Sequence, residues 1–214
     1  MSIQLNNLTI NGGVTGSTFG DPYWSYVTAL LHFDGTNGST TFIDQAGNTT
    51  QQIGTAQIVS NPKFGTGSLQ IQSSSDGVLV NNTSNLSGSY TIEGWVNIGG
   101  VTSGDHYTLV TEGYDVYPSR WVIDMSTTTN SINLRVVTAS NAVLWDSPSA
   151  SYTLGTWAHV AVVNDAIANT FTAFINGVRV GQIAAVALSR GIQLRLENAL
   201  HHLLDLHTTL MILE

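Results

Sequence analysis

Aromatic and polar side chains of the kind that bind sugars are concentrated in one stretch of the sequence, residues 104–121. Exposed aromatic rings stack on sugar rings, while polar side chains form hydrogen bonds with sugar hydroxyls. Both kinds of group occur here: Tyr107, Tyr114, Asp115, Tyr117, Arg120 and Trp121. These residues form the predicted carbohydrate-binding site. The alternative is that the rings pack beneath a long loop and are structural.

Carboxylates are not spaced for glycoside hydrolysis. That reaction needs two carboxyl groups across a cleft, one to protonate the leaving group and one to attack or to activate water. The nearest acidic pair, Glu112 and Asp115, lies close to Gly113 and Pro118 in a predicted loop. The sequence also lacks a Gly-x-Ser-x-Gly segment that would hold a serine nucleophile. We therefore expect no enzymatic activity.

The composition argues against two further classes of function. Six basic residues stand against fourteen acidic ones, giving a formal net charge of −8, and the basic residues are scattered singly. Nucleic-acid binding is not expected, because no basic patch is available to neutralise phosphates. A membrane span is not expected either, because no segment approaches the roughly 20 apolar residues it requires. The sequence has no cysteine, so it has neither a disulfide nor a thiolate metal site.

The elements that must position any binding site are short strands. Residues 157–181 read as two long strands and a tight return at Asn176-Gly177, a strong signal for a type I′ turn. Similar strands, separated by Gly, Pro, Asn and Ser, recur from Val27 onward and predict an antiparallel β-sandwich. The following side chains are expected in its core: Ile92, Val96, Trp157, Val160, Val162 and Phe174.

Four motifs occur in an order that resembles one known family. They are Leu30-Leu31-His32-Phe33-Asp34-Gly35, Phe64-Gly65-Thr66-Gly67-Ser68-Leu69, Tyr90-Thr91-Ile92-Glu93-Gly94-Trp95-Val96, and the hairpin of residues 157–181. Together they resemble a laminin-G-like domain of the concanavalin A type. The resemblance implies an all-β fold, an antiparallel jelly-roll β-sandwich. The opening Asp21-Pro22-Tyr23-Trp24 is similar to phage structural proteins that carry this domain.

The resemblance also implies that a calcium ion is possible at one rim of the sandwich, because laminin-G-like domains often bind it there. Turn carboxylates supply the oxygen ligands that calcium prefers, although aspartate is also an ordinary turn residue. The acidic turn residues are Asp34, Asp44, Asp76, Asp105, Asp115 and Asp146. Two strand histidines, His32 and His159, are expected to be structural. A weak metal pattern is formed by His201, His202 and His207.

Three parts are predicted along the chain: an N-terminal leader or arm at 1–22, the sandwich at 23–183, and an atypical tail at 184–214. The family's last strand motif is missing from the tail. One interpretation is an amphipathic helix over 192–206, supported by the spacing of Leu196, Leu200 and Leu203. The other is a shifted reading frame, which would leave the tail poorly packed and one sheet edge exposed.

The function implied by the resemblance is that of a non-enzymatic virion component of a phage. It would bind a host-surface glycan or neighbouring capsid or tail subunits, and we expect it to be homo-oligomeric. The alternative is a calcium-assisted lectin domain of a bacterial surface or secreted protein. The expected location is accordingly the virion or, in the alternative, the cell surface or the extracellular space.

Overall fold

The structure is a computed structural model. It describes side chains for residues 23–72, 76–81, 88–97, 99, 153 and 155–184, and the backbone alone for several further strands. One turn of 3₁₀ helix, Trp24–Tyr26, precedes the first strand. The described strands are β1 Val27–Leu31, β2 Thr49–Ile53, β3 Gln57–Val59, β4 Ser68–Ile71, β5 Gly77–Asn81, β6 Tyr90–Ile98, β7 His106–Thr111, β8 Val122–Thr128, β9 Ser131–Val137, β10 Val143–Asp146, β11 Trp157–Asp165, β12 Thr170–Ile175, β13 Val178–Ile183, β14 Gln193–Asn198, β15 Leu204–Leu206 and β16 Leu210–Leu213.

The strands form two antiparallel sheets, which confirms the predicted sandwich. The nine-stranded sheet has the order β13-β12-β11-β6-β15-β4-β3, and β16 joins it by pairing with both β6 and β1. The seven-stranded sheet has the order β10-β9-β8-β7-β14-β5-β2. Among the described residues, no helix is long and apolar enough to cross a membrane. The turn after β12 is the predicted one, with φ of 50° at Asn176 and 76° at Gly177.

One face of the nine-stranded sheet forms the core. On β6 and β11 the buried residues alternate with half-buried ones, and Ile92, Val96 and Val160 are at most 2% exposed. This alternation follows from the two-residue period of a strand. It confirms the predicted burial of these residues and of Val162, which is 1% exposed.

Two of the predicted core residues were assigned to the wrong face. Trp157 pairs with Asn97 and is half-buried, because the two-residue period places it opposite to Val160 and Val162. Phe174 pairs with Ala161 and is half-buried on the same outer face. Its strand neighbour Phe171, at 1% exposed, is the phenylalanine that fills the core.

The tail contributes strands to both sheets. β14 lies between β5 and β7, and β16 lies between β1 and β6. The helix predicted over 192–206 is therefore wrong where that segment is described, because residues 193–198 and 204–206 pair as strands. The sequence predicted one exposed sheet edge without specifying the strand, and β1 pairs with β16 of the tail. The reading-frame interpretation itself stays a prediction that only the nucleotide sequence can test.

Candidate functional site

The carbohydrate site predicted at residues 104–121 lies almost entirely outside the described part of the chain. Tyr107 is placed on β7, where its backbone is opposite Met125 of β8 and Asn198 of β14. The other five residues, Tyr114, Asp115, Tyr117, Arg120 and Trp121, lie outside the described residues. The predicted site is thus neither supported nor opposed by the structure.

A different group of aromatic and charged side chains comes together on the outer face of the nine-stranded sheet. We call Lys63, Phe64, Glu93, Trp95 and His159 the Trp95 cluster. Glu93 and Trp95 alternate with core residues along β6, so their side chains point away from the core. His159 of β11 is directly opposite Trp95 in the antiparallel register. Side chains of such a pair are close enough to contact each other.

The sheet itself supplies three members of the cluster. The ring centroids of Trp95 and His159 are 5.3 Å apart, with the planes tilted by 54°. The Nε2 atom of His159 is 3.5 Å from Oε2 of Glu93. Both of these side chains remain partly accessible, with 27% of His159 and 29% of Glu93 exposed. A polar pair therefore lies beside an aromatic ring at the surface.

The loop between β3 and β4, residues 60–67, supplies the other two members. The ring of Phe64 meets Trp95 edge-on, at 5.6 Å between centroids and an interplanar angle of 79°. The Nζ atom of Lys63 lies 4.6 Å from the Trp95 centroid and 5.6 Å from the Phe64 centroid. These are distances at which an ammonium ion is attracted to an aromatic ring. Phe64 is nevertheless 56% exposed, so much of its ring faces solvent.

Side-chain hydrogen bonds from the turn after β1 hold this loop at both ends. The Thr66 backbone N–H donates to Asp34 Oδ1 at 2.6 Å, and the Thr66 hydroxyl donates to the same atom at 3.0 Å. At the other end of the loop, the Ser60 N–H donates to Asn37 Oδ1 at 3.1 Å. We call these contacts the loop latch.

Two glycines make the latch possible. Gly65 has a φ of +67°, and a Cβ atom there would overlap the Asp34 carboxylate. At Gly67 a Cβ atom would lie only 2.7 Å from the Phe33 carbonyl oxygen. Residues other than glycine are therefore excluded where the loop approaches the turn after β1. This gives a physical reason for the Phe-Gly-Thr-Gly motif seen in the sequence.

A row of amide side chains continues the outer face beyond the cluster. Gln57 donates from Nε2 to Gln70 Oε1 at 3.3 Å, and Gln72 donates to the same oxygen at 3.0 Å. Asn97, two residues after Trp95, donates from Nδ2 to the Gly155 carbonyl at 3.4 Å. Amides carry donors and acceptors together, so this face offers partners for hydroxyl groups.

The carboxylates considered for calcium accept hydrogen bonds from backbone N–H groups wherever they are described. Asp44, 6% exposed, accepts from Leu30 N at 2.7 Å and from Ala46 N at 3.0 Å. Asp76, 1% exposed, accepts from Thr55 N at 2.6 Å and from Gln72 N at 3.1 Å.

Asp34 belongs to the loop latch, as described above. The hydrogen bonds of these three aspartates fit the ordinary role of aspartate in and beside turns. Where the structure describes side chains, no group of three or more acidic or histidine residues could hold a metal ion. The remaining acidic and histidine predictions fall on backbone-only or undescribed positions, namely Asp105, Asp115, Asp146, His201, His202 and His207.

Sequence reasoning named the motifs that contain Phe64, Glu93 and Trp95 and the strand histidine His159, but it did not single out Lys63 or assemble the site. The predicted core positions Ile92 and Val96 leave Trp95 on the opposite face by alternation, and the motif at Phe64 was recognised as a family feature. His159 was expected to be structural; it is half-buried on the outer face. The available signal was an aromatic residue and a histidine at outward positions of strands. Their pairing depends on a register that no local pattern specifies.

Comparison with protein families assigns the chain to a superfamily. The family model that describes the concanavalin A-like lectin/glucanases superfamily matches residues 72–192, more than half of the sequence. The chain belongs to this superfamily. The jelly-roll sandwich of the structure is the fold that the superfamily name implies. No curated protein sequence matches the chain.

Solved structures similar to this chain include two from botulinum neurotoxins. The botulinum neurotoxin serotype D binding domain has a TM-score of 0.64 and 15% identity, over 90% of this chain and 49% of that chain. A type C neurotoxin structure, whose subject is cell entry through two ganglioside molecules, has a TM-score of 0.63 and 18% identity, over 89% and 48%. The chain thus spans about half the length of the toxin structures it matches.

A third structure matches over nearly its whole length. Domain 4 of the GH43 extracellular arabinanase AbnA from Geobacillus stearothermophilus, in complex with arabinotriose, has a TM-score of 0.59 and 18% identity. The match covers 88% of this chain and 92% of that domain. At such identities these similarities show the fold alone, which is a lectin-like fold.

Proposed function

We propose that this protein is a non-enzymatic glycan-binding protein and that the Trp95 cluster is its sugar site. The proposal depends chiefly on one observation. An aromatic ring that is 56% exposed, Phe64, stands beside an outward-facing Trp95 and the Glu93–His159 pair on one face of the sandwich. This combination of an apolar ring with nearby polar groups suits a sugar, which has apolar C–H faces and a rim of hydroxyls.

Each group of the cluster has a defined task in this proposal. The exposed face of Phe64 takes the C–H face of a sugar ring. Glu93 accepts hydrogen bonds from two neighbouring hydroxyls, and the amide row at Gln70 and Asn97 reaches the next sugar unit. The loop latch keeps Phe64 in place before the ligand arrives, so less conformational entropy is lost on binding.

The superfamily neighbours support a glycan as the ligand class. One toxin structure concerns interaction with gangliosides, and the arabinanase domain contains arabinotriose. The arabinanase domain is especially relevant because nearly all of its length matches this chain. Fold similarity does not identify a ligand, so the proposal takes its residues from the Trp95 cluster and only its ligand class from these proteins.

Binding without hydrolysis is proposed because of the acidic groups of the cluster. Glycoside hydrolysis needs two carboxyl groups about 5–10 Å apart. Within the described residues of the cluster, the single carboxylate is Glu93, and it lies 3.5 Å from His159. One carboxylate can orient a hydroxyl but cannot serve both as proton donor and as nucleophile or base in the first step.

The biological setting we propose is a phage virion, in which the protein is a homo-oligomeric tail or head appendage. It would attach to a host-surface glycan or to neighbouring subunits. This extension rests on the resemblance of Asp21-Pro22-Tyr23-Trp24 and the following strand to phage structural proteins. Mass spectrometry of purified phage particles tests it: the protein should be present at a fixed copy number. Its absence from particles, together with its recovery from a bacterial surface or culture medium, would favour the calcium-assisted lectin.

A glycan array tests the binding function. Wild-type protein should bind a defined set of glycans, and the Phe64→Ala variant should lose at least about tenfold in affinity, on the order of 1.4 kcal/mol. The Tyr26→Ala variant is the matched control, because Tyr26 is 53% exposed but lies outside the cluster, before β1. Repeating the array with a chelator separates calcium-assisted from calcium-independent binding. Equal binding by wild-type and Phe64→Ala proteins would show that the sugar binds elsewhere.

A further inference from the structure

Lys63 is the only lysine of a sequence whose formal net charge is −8. It is exposed, and it lies in the Trp95 cluster with its ammonium group near two aromatic rings. Among the described residues, no carboxylate is within ion-pair distance of it. Within that part of the chain the ammonium group contacts the two rings, and its N–H donors remain for an anionic ligand.

We infer that the sugar bound by the Trp95 cluster carries a carboxylate and that Lys63 binds this carboxylate. The inference deepens the proposed function and rests on it, since it names the class of glycan. An ammonium ion and a carboxylate form a charge-assisted hydrogen bond, which is stronger than a bond between neutral groups. The Nζ atom lies 4.6 Å from the Trp95 centroid, so the anion would bind beside the same rings that hold the sugar.

The arrangement of charges in the cluster also orients the ligand. Lys63 belongs to the loop, whereas Glu93 belongs to the sheet and has His159 as its neighbour at 3.5 Å. A sugar acid would therefore direct its carboxylate toward the loop and its hydroxyls toward Glu93. The opposite orientation would bring two carboxylates together and is disfavoured.

A single charge on the sugar fits better than several. The cluster offers one lysine, and the whole chain repels dense negative charge because acidic residues outnumber basic ones by fourteen to six. Heavily sulfated or phosphorylated polymers are therefore poor ligands. Sialic acid and uronic acids both carry one carboxylate on a sugar ring, and either could supply this chemistry.

The single lysine permits a direct chemical test on the intact protein. Acetylation removes the positive charge of Lys63, whereas reductive dimethylation keeps it. The probes are oligosaccharides ending in sialic acid, oligosaccharides ending in glucuronic acid, and the methyl esters of both. We expect acetylated protein to lose about tenfold in affinity for one class of acid and little for its ester, and dimethylated protein to keep its affinity. The preferred acid identifies the source of the carboxylate.

Two controls keep the result specific to Lys63. The Lys63→Gln variant, acetylated in parallel, shows any effect of modifying the chain's amino terminus. The Arg179→Gln variant removes one positive charge from an exposed position of β13, three strands from Glu93 in the same sheet. It should bind like the wild type.

The inference and the proposed function fail in different ways. If neutral glycans or the esters bind as tightly as the acids, and acetylation changes nothing while Phe64→Ala still weakens binding, the sugar site stands and the carboxylate inference is overturned. If no glycan binds, or Phe64→Ala binds like the wild type, the proposed site itself is wrong.

Discussion

The loop latch gives a prediction in which stability and binding can be separated. Replacing Asp34 with Ala removes the acceptor of two hydrogen bonds from Thr66, at 2.6 Å and 3.0 Å. Both bonds lie at the surface, where water competes, so together they contribute about 1–2 kcal/mol to holding the loop. That energy corresponds to a factor of about 5–30 in the ratio of latched to unlatched loop. The apparent glycan affinity falls by at most this factor, because only the latched loop holds Phe64 against Trp95.

The matched control for this change is Asp165→Ala. Asp165 makes the same kind of contact at the β11–β12 turn, accepting from Ile167 N at 3.0 Å and from Ala168 N at 2.9 Å. It is not a member of the cluster or of the latch. For a chain of this size, about 1 kcal/mol lowers the melting temperature by about 2–4 °C, so both variants should melt a few degrees below the wild type.

Binding distinguishes the two variants. Isothermal titration calorimetry with a glycan identified on the array should show a higher Kd for Asp34→Ala than for the wild type. The Kd of Asp165→Ala should be unchanged. If Asp34→Ala melts earlier but binds with wild-type affinity, the latch supports the fold without positioning the site, and the reasoning about loop 60–67 is refuted.

Three further outcomes are expected. The Phe171→Ala variant should lose about 3–5 kcal/mol of unfolding free energy, measured with urea, because Phe171 is a core residue and 1% exposed. The Phe174→Ala variant should lose clearly less, because Phe174 is half-buried on the outer face. Equal losses of unfolding free energy would contradict the register of β12. The Asp76→Ala variant should lose about 2–4 kcal/mol of unfolding free energy, since the substitution removes the acceptor of the Thr55 and Gln72 N–H groups. A decrease in melting temperature of less than about 2 °C would show that water replaces the carboxylate. Incubation with any bound glycan should release no reducing sugar, because the cluster has one described carboxylate; release that Glu93→Gln abolishes would make the protein an enzyme.

Most of what could be predicted about the fold came from the alternation of apolar and polar residues along the strands. Ile92 and Val96 of β6 were assigned correctly to the core, and the alternation leaves Trp95 outward. The same rule, applied consistently, would have placed Trp157 outward, since Ala158, Val160 and Val162 are the inward residues of β11. On β12 the two phenylalanines have opposite parity, and the wrong one was assigned to the core. Both errors concern face, which a shift of one residue reverses.

The tail shows why helical spacing alone is a weak indicator. Leucines three and four residues apart also occur by chance in an apolar segment that forms short strands. In this chain β5 and β7 on one side, and β1 and β6 on the other, need a paired neighbour. Gln193–Asn198 and Leu210–Leu213 fill those positions. Tertiary pairing therefore decides the secondary structure, and local periodicity does not report it.

The candidate site could not be predicted from the sequence for a related reason. Its five residues come from a loop and two strands that are far apart along the chain, at 63–64, 93–95 and 159. Each residue alone has an ordinary structural explanation. Only the register that sets His159 opposite Trp95, and the latch that brings Phe64 against Trp95, turns them into one surface.

The most direct test of the account is an NMR titration of the tryptophan side chains. The five tryptophans should give five indole N–H signals, which single Trp→Phe variants assign. Adding a glycan that binds on the array should shift the Trp95 signal most and leave that of Trp121 unchanged. A shift confined to Trp121, with Trp95 unaffected, would place the sugar on residues 104–121 and contradict the claim that the Trp95 cluster is the binding site.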